Sequence, residues 1–294
     1  MHLNPPIFQM ELIRRLRGRI RRRKLIGNWV WELPDVPAEW RAAFRLVHEI
    51  WVPSRFVADA MTRAGCRAQV RVVPHPLPIP PVASAPRNDR LGLTVLTIFA
   101  YDSGFERKNP IASIEAFRRA FTTEDNATLI VKARGHSQSG EPERRVQAAI
   151  AGSANIQLLA GDLLAPEYER LLDAADILLS LHRSEGFGLP LATAMLRGKP
   201  VIATAWSGNL DFMSDDSACL VPARLVPAVD EADAYRHCDS VWASPDIEVA
   251  VAWLRRLRNP ELREQIGRAA RKQVAACLAP DVFAAAALAG LGPP

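Results

Sequence analysis

The sequence predicts an α/β fold built around one doubly wound parallel sheet. From Leu91 onward, short apolar runs alternate with helix-like segments, which is the pattern of parallel strands joined by crossover helices. Two of these runs lead directly into glycine-containing turns followed by a helix start. The apolar runs also fall short of the roughly 18 residues that a membrane-spanning helix needs, so we expect no such helix.

Each predicted strand after Leu91 is a short apolar run. The six strands are Thr94 to Phe99, Thr128 to Val131, Ile156 to Leu159, Ile177 to Leu181, Val201 to Thr204 and Cys219 to Val221. Pro110 opens a helix between the first two strands, because proline is favoured in the first helical turn. Another helix is expected over Glu167 to Ala174, and the tail from Asp246 to about Leu288 is expected to be helical with a break at Asn259-Pro260.

A proline cluster divides the chain into a short first part and a larger second part. Pro74, Pro76, Pro78, Pro80 and Pro81 forbid a regular helix or a central strand there. We therefore expect a partial N-terminal domain over residues 1–80, a linker over 81–90 and a ligand-binding domain over 91–260. The helices of 261–294 are expected to pack back on the N-terminal part.

The positive charge is concentrated in one segment, Arg14 to Lys24. Removing its eight cations turns the formal net charge of +5 negative, so the segment is a local feature. It fits a solvated surface, or peripheral contact with an anionic membrane. Nucleic acid is the weaker option, because no aromatic residues are interleaved for base stacking. Since Met1 to Met10 resembles no secretory signal, we expect a cytoplasmic protein, with possible attachment at the inner face of the membrane.

Cysteine and histidine spacing predicts no metal site. Cys66, Cys219, Cys238 and Cys277 form no C-x-x-C pair, and the six histidines form no H-x-x-x-H pair. We expect four reduced structural thiols.

The stretch from Glu185 to Pro190 carries the clearest chemical signal. It follows the predicted strand Ile177 to Leu181 and precedes a helix, and ligands of open α/β sheets bind at such junctions. Gly186 and Gly188 allow close approach of a ligand, and a helix start favours an anion such as a diphosphate. Read alone, the pattern also fits a tight turn without a ligand. A nicotinamide site is a minor option, because the third glycine of that fingerprint is replaced by Leu191.

A second strand-to-helix junction places Lys108 two residues before Pro110. A lysine there adds a point charge to phosphates that are attracted to helix N-termini. Read alone, Lys108 also fits a solvated lysine paired with Glu106.

Together these stretches resemble the group 1, or family 4, retaining glycosyltransferases of the GT-B fold. The resemblance rests on the run from Ser184 to Thr204, on Leu171 to Ser180 and on Arg107 to Pro110. Upstream, Trp29 to Pro37, Glu49 to Phe56 and the connector Val72 to Pro76 are similar to the end of such an enzyme's first domain. The resemblance covers roughly residues 28–260. It implies a GT-B-like α/β architecture, with one complete doubly wound, Rossmann-like donor-binding domain plus a partial N-terminal α/β domain.

The resemblance further implies transfer of a sugar from a nucleotide-diphosphate donor to a glycan or lipid-linked acceptor, with retention of configuration. Lys108 and Glu185 would be the catalytic residues: Lys108 would contact the diphosphate and Glu185 the sugar hydroxyls, without a cofactor or metal. The chain has no Asp-x-Asp. Polysaccharide or glycolipid biosynthesis is the associated role. The donor-binding set that the resemblance implies comprises Ser103, Arg107, Lys108, Gly161, Asp162, Glu185, Gly186, Phe187, Gly188, Leu189 and Thr193.

The sequence departs from this family at two points. Thr193 stands where the signature has a second glutamate, which would hydrogen-bond the ribose. The glycine-rich start of the family's first domain has no counterpart in this chain. A degenerate, non-catalytic nucleotide-sugar-binding protein or partner subunit is therefore the alternative. An ordinary nucleotide-binding α/β enzyme, or a membrane-associated interaction protein, is a further one.

Overall fold

The computed structural model describes residues 3–5, 7–15, 24–80, 92–137, 140–230, 235 and 240–291. They form two parallel sheets, of three and six strands, and a two-stranded hairpin. The linker predicted over 81–90 and most of the basic segment lie outside these residues.

The first sheet is small and wholly parallel. Its strands are β1 (Ile26–Asn28), β2 (Glu49–Val52) and β3 (Gln69–Val72), in the order β1-β2-β3. The helices of this part are α1 (Ile7–Arg15), α2 (Arg41–Phe44) and α3 (Arg55–Arg63). Aromatic side chains fill its core, with Trp29 fully buried between Phe8, Trp40 and Phe44.

Helix α1 covers the chain just beyond the edge strand β1. The Asn4 side chain donates to the Val30 carbonyl at 2.8 Å and accepts from the Val30 N–H at 2.9 Å. Phe8 and Leu12 are buried against the same core. One side-chain amide thus pairs with backbone groups that a further strand would otherwise use.

The second sheet has the doubly wound topology that the sequence predicts. Its six parallel strands lie in the order β6-β5-β4-β7-β8-β9. The strands are β4 (Leu93–Ala100), β5 (Ala127–Arg134), β6 (Ile156–Ala160), β7 (Ile177–Ser180), β8 (Val201–Thr204) and β9 (Cys219–Val221). The helices among them are α4 (Phe105–Lys108), α5 (Pro110–Ala120), α6 (Glu141–Ile150), α7 (Ala165–Ala174) and α8 (Leu189–Leu196).

The strand order reverses between β4 and β7. From β4 the chain continues outward through β5 and β6, whereas from β7 it continues to the other side through β8 and β9. The carboxyl ends of β4 and β7 therefore border a crevice, which is where open α/β sheets bind ligands.

An antiparallel hairpin follows β9, where the sequence analysis expected no strands. It pairs β10 (Ala223–Pro227) with β11 (Val241–Pro245). Trp242 of β11 and the nearby Tyr235 are buried in the core of the first sheet's unit. The hairpin thus extends from the large unit onto the small one.

Three helices form the tail: α9 (Ile247–Arg256), α10 (Pro260–Leu278) and α11 (Pro280–Leu291). Helix α10 packs on α8 of the large unit, and α11 packs on β3 of the small one. By length and composition, the stretch Pro260–Leu291 passes as a membrane-span candidate, which the sequence analysis did not expect. Its most apolar window has a mean hydropathy of 1.9 and is 22% buried in the fold. Length and composition alone do not establish a span.

Candidate functional site

Lys108 and Glu185 meet at the switch point of the large sheet. Lys108 ends the short helix that follows β4, and Glu185 lies in the loop that follows β7. Although 77 residues separate them, the Lys108 Nζ donates to Glu185 Oε1 in a short ion pair. The two residues that the sequence analysis named as catalytic are therefore brought into direct contact.

The glycine loop after Glu185 is shaped by a close approach and by a left-handed turn. A Cβ on Gly186 would lie 2.4 Å from the Trp31 carbonyl oxygen, so only glycine fits there. Gly188 has φ of +96°, which glycine adopts without strain, and it precedes α8 with Pro190 in its first turn. The first N–H groups of α8 have no carbonyl partner within the helix, and they lie beside the Lys108–Glu185 pair.

Arg107 lies beneath this pair and is buried, with a side chain only 2% exposed. It donates to Ser184 O at 2.8 Å and to Ser103 O at 2.7 Å. Its Nε donates to the Tyr235 hydroxyl at 2.8 Å, and its Nη1 lies 3.2 Å from Glu185 Oε2. All three guanidinium nitrogens therefore have protein partners. We infer that Arg107 and Ser103 position Glu185, whereas the sequence analysis expected them to help bind the donor.

The charges around Glu185 keep it ionised. Burial raises the pKa of the Glu185 carboxyl, but Lys108 and Arg107 lower it by more, and the result is a pKa of about 2. Burial likewise lowers the pKa of Arg107, but Glu185, Glu32 and Tyr235 together raise it by more. A carboxylate in this state accepts hydrogen bonds and does not donate a proton at neutral pH.

Other residues of the predicted donor-binding set serve the loop in different ways. The Phe187 ring is buried against His75 and Phe212, at centroid distances of 5.1 and 5.2 Å, and it anchors the loop. Leu189 is 43% exposed at the start of α8. The Thr193 hydroxyl donates back to the Leu189 carbonyl at 2.8 Å, one helical turn earlier.

The loop Gly161-Asp162, also part of the predicted donor-binding set, follows β6. It lies at the same edge of the sheet but two strands from β4, which corresponds to about 10 Å. The Asp162 side chain is 81% exposed. The buried Lys132 of β5 donates to the Gly161 carbonyl and fixes the start of this loop, and burial lowers the pKa of its ammonium group.

The sequence analysis missed the contacts that the small unit makes with the glycine loop. The Ser54 hydroxyl, at the N-cap of α3, donates to the Gly186 carbonyl at 2.6 Å. The Ser184 hydroxyl donates to the Glu32 carbonyl. These residues are remote in sequence, and the only local signal was that Ser54 precedes a helix.

A second loop that was missed follows β8 and supports Glu185 from the other side. The Ser207 hydroxyl accepts from the Glu185 N–H at 2.8 Å, and the Gly208 N–H donates to the Glu185 carbonyl at 2.8 Å. Beneath it, the fully buried His182 contacts Asn209 Oδ1 at 3.2 Å, and burial lowers the pKa of its imidazole. Polar residues directly after a strand of this sheet were the available signal.

The space beside the Lys108–Glu185 pair is small. The cavity lined by Lys108, Glu185 and Pro190 measures about 10 Å³. A ligand that binds here must therefore separate the two side chains.

Comparisons with known proteins agree with the fold. A family model described as "Glycosyl transferases group 1" matches residues 94–239, from the second residue of β4 to beyond β9, and this range includes both sides of the crevice. No curated protein sequence matches the chain.

Solved structures share the fold at low sequence identity. Anabaena HepE, in complex with UDP and glucose, is 15% identical with a TM-score of 0.69, over 92% of this chain and 72% of that one. A mutant of S. aureus TarM, in complex with Fondaparinux, alpha-GlcNAc-glycerol and UDP, is 12% identical with a TM-score of 0.68, over 91% and 50%. WaaG, a glycosyltransferase involved in lipopolysaccharide biosynthesis, is 20% identical with a TM-score of 0.58, over 85% and 65%. The chain thus spans between half and about three quarters of the lengths of these three structures.

Proposed function

Because this chain belongs to the group 1 glycosyltransferases, we propose that it binds a nucleotide-diphosphate sugar at the Lys108–Glu185 crevice and transfers the sugar with retention of configuration. The observation that carries the proposal is the direct contact of a lysine and a carboxylate at the switch point of a doubly wound sheet, beside the start of α8.

The diphosphate fits the positive side of this crevice. Lys108 supplies a point charge, and the free N–H groups at the start of α8 supply directed donors and the positive end of a helix dipole. Both stabilise the charge that develops on the leaving diphosphate. These groups neutralise that charge without a metal ion, so we propose a metal-independent reaction.

The sugar fits the negative side. Glu185 is ionised and fixed by Arg107 from below and by the Ser207 hydroxyl at its backbone. When the diphosphate draws Lys108 away from Glu185, the freed Glu185 oxygen can accept hydrogen bonds from sugar hydroxyls. Donor binding would thereby replace the Lys108–Glu185 ion pair by two contacts with the ligand, and the sugar would be held in one orientation.

The acceptor and the cellular setting belong to the same proposal. We propose a glycan or lipid-linked acceptor, in polysaccharide or glycolipid biosynthesis, and a cytoplasmic reaction with peripheral membrane contact through the segment from Arg14 to Lys24. The support is the family and the charge pattern of that segment.

Calorimetric titration with UDP, GDP and the matching nucleotide sugars tests the proposal. We expect one nucleotide to bind, and Lys108→Ala to weaken it about 10- to 100-fold, which corresponds to the loss of a charge-assisted contact. Lys272→Ala, on the exposed face of α10, removes the same charge and should bind normally.

Glu185→Gln separates the roles of the two partners. Because it releases Lys108 from its ion pair, the nucleoside diphosphate should bind at least as tightly as to the wild type. The nucleotide sugar should then bind no more tightly than the nucleoside diphosphate. Weaker binding of both ligands to the same extent would contradict the assignment of Glu185 to the sugar.

A second candidate function is favoured by Thr193. Its hydroxyl is occupied by the Leu189 carbonyl, and no carboxylate stands at this position for the ribose. If nucleotide sugar binds but no donor turnover or transfer occurs with any acceptor, the chain is a binding subunit. If none of the nucleotides binds, both functions are excluded.

A further inference from the structure

A larger cavity lies apart from the crevice, and nothing in the proposed reaction uses it. It measures about 210 Å³ and shares no lining residue with the small cavity beside Lys108. Its walls are the start of α5, the α6 residue Arg145, and the junction of β11 with α9 at Ser244 and Pro245. Arg183, two residues before Glu185, completes the wall.

Arg183 is the unusual member of this lining. Among the described residues, its guanidinium has no hydrogen-bond acceptor and no carboxylate within ion-pair distance, and its Nε is buried without a partner. It lies over the face of the Trp242 ring, at 5.4 Å from the centroid. A buried N–H group without an acceptor costs about 1–3 kcal/mol, so this site favours an added acceptor.

The carboxylates of the cavity do not fill that role. Glu106 forms an ion pair with Arg145, and Glu115 pairs with Arg119 at 3.2 Å. Burial lowers the pKa of the Arg183 guanidinium, and Glu106 raises it only in part. An anion in the cavity would stabilise the charge on Arg183.

The backbone holds Arg183 in place. Its N–H donates to the Arg107 carbonyl at 2.7 Å, and its carbonyl accepts from the Ala243 N–H at 2.8 Å. The guanidinium is therefore presented from a fixed main chain, which lowers the entropy cost of binding a ligand. The N-terminus of the eleven-residue helix α5 faces the same space and adds a positive dipole end.

The size and chemistry of the cavity define the class of ligand. An engineered cavity of about 150 Å³ already accepts a benzene ring, so this cavity accommodates more than a bare ion. Guanidinium groups match the oxygen geometry of phosphate, and the remaining lining offers both polar and apolar contacts. We propose that this cavity binds a small phosphate-bearing molecule, with its phosphate on Arg183.

Titration calorimetry with inorganic phosphate and with glucose 1-phosphate tests this site. We expect saturable binding to the wild type and at least tenfold weaker binding to Arg183→Gln. Ser244→Phe, which adds a ring to the cavity lining at the junction of β11 with α9, should weaken binding to a similar extent while leaving Arg183 in place. Circular dichroism and melting of each variant establish that the fold is kept.

Two control variants distinguish binding in this cavity from binding in the donor crevice and from nonspecific attraction to positive surface charge. Arg170→Gln removes one exposed positive charge and should bind like the wild type. Lys108→Ala should also bind normally, because Lys108 does not line the cavity. Tighter binding of glucose 1-phosphate would identify a phosphomonoester of a larger molecule, and equal binding would identify phosphate itself. Absence of binding, equal binding by Arg183→Gln, or loss in Lys108→Ala alone would overturn the proposal.

Discussion

Replacing Glu185 by glutamine should give a loss of stability that depends on pH. Glu185 is 9% exposed and its pKa is lowered from 4.5 to about 2 by its two cationic partners. A carboxyl whose pKa is lower in the folded state stabilises the fold above its unfolded value, and this contribution is lost as the pH falls through the folded pKa. The shift corresponds to about 3 kcal/mol at pH 7.

The difference in the free energy of unfolding between the wild type and Glu185→Gln should decrease as the pH is lowered. Between pH 7 and pH 3 the wild type should lose about 2 kcal/mol of the stability that Glu185 contributes, whereas the glutamine variant has no such group to titrate. Other carboxyls with lowered pKa values, such as Glu49 and Glu143, titrate in both proteins and cancel in the difference. The free energy of unfolding of Glu185→Gln should therefore approach that of the wild type as the pH falls.

Urea unfolding followed by tryptophan fluorescence at pH 7, 5 and 3 measures this difference. Glu264→Gln, which removes a carboxylate from the exposed Arg268 pair on α10, serves as the control and should cost at most about 1 kcal/mol at pH 7. A gap between wild type and Glu185→Gln that stays constant from pH 7 to pH 3 would refute the reasoning, because the carboxyl would then titrate alike in folded and unfolded protein.

Three further perturbations follow from the structure. Gly186→Ala places a methyl group against the Trp31 carbonyl and should lower stability by about 1–3 kcal/mol, which thermal melting would detect; an unchanged melting temperature would mean that the two units are not in contact there. Asn4→Ala leaves the Val30 N–H and carbonyl unpaired and should cost about 1–3 kcal/mol in urea unfolding, and no change would show that water replaces the amide. Burial raises the pKa of the Cys219 thiol to about 12, so mass spectrometry should find it unalkylated by iodoacetamide at pH 8 in the folded protein, and rapid labelling would contradict its burial.

The strands of the large sheet were predictable because each is a short apolar run between turn residues. The predicted strand Thr94 to Phe99 is extended by one residue at each end in the structure, and Val201 to Thr204 matches in full. The hairpin was not predictable, since β10 is mostly exposed and thirteen residues separate it from its partner β11. A strand whose side chains are largely solvated shows no buried period-two pattern in the sequence.

The site residues that could be predicted from the sequence are those that come shortly after a strand of the large sheet. Lys108 and Glu185 follow β4 and β7, and the topology of the sheet brings such residues together. Arg107 was predicted to bind the donor like its neighbour Lys108, although the side chains of consecutive residues point about 100° apart around a helix. Lys108 therefore reaches the crevice while Arg107 points into the protein. The contact of Ser54 with Gly186 depends on how two units pack, and no local pattern encodes it.

The first sheet packs against a helix that lies more than two hundred residues further along the chain. Helix α11 packs on β3, and Lys24, just before β1, donates to the carbonyl of Gly290 in α11 while pairing with Glu49 at 2.7 Å. During synthesis, residues 24–72 leave the ribosome more than two hundred residues before this helix exists. One face of three parallel strands must then wait uncovered, exposed to other nascent chains and to chaperones. The small unit thus reaches its final form only after α11 has been made, whereas all six strands of the large sheet are present once β9 has emerged.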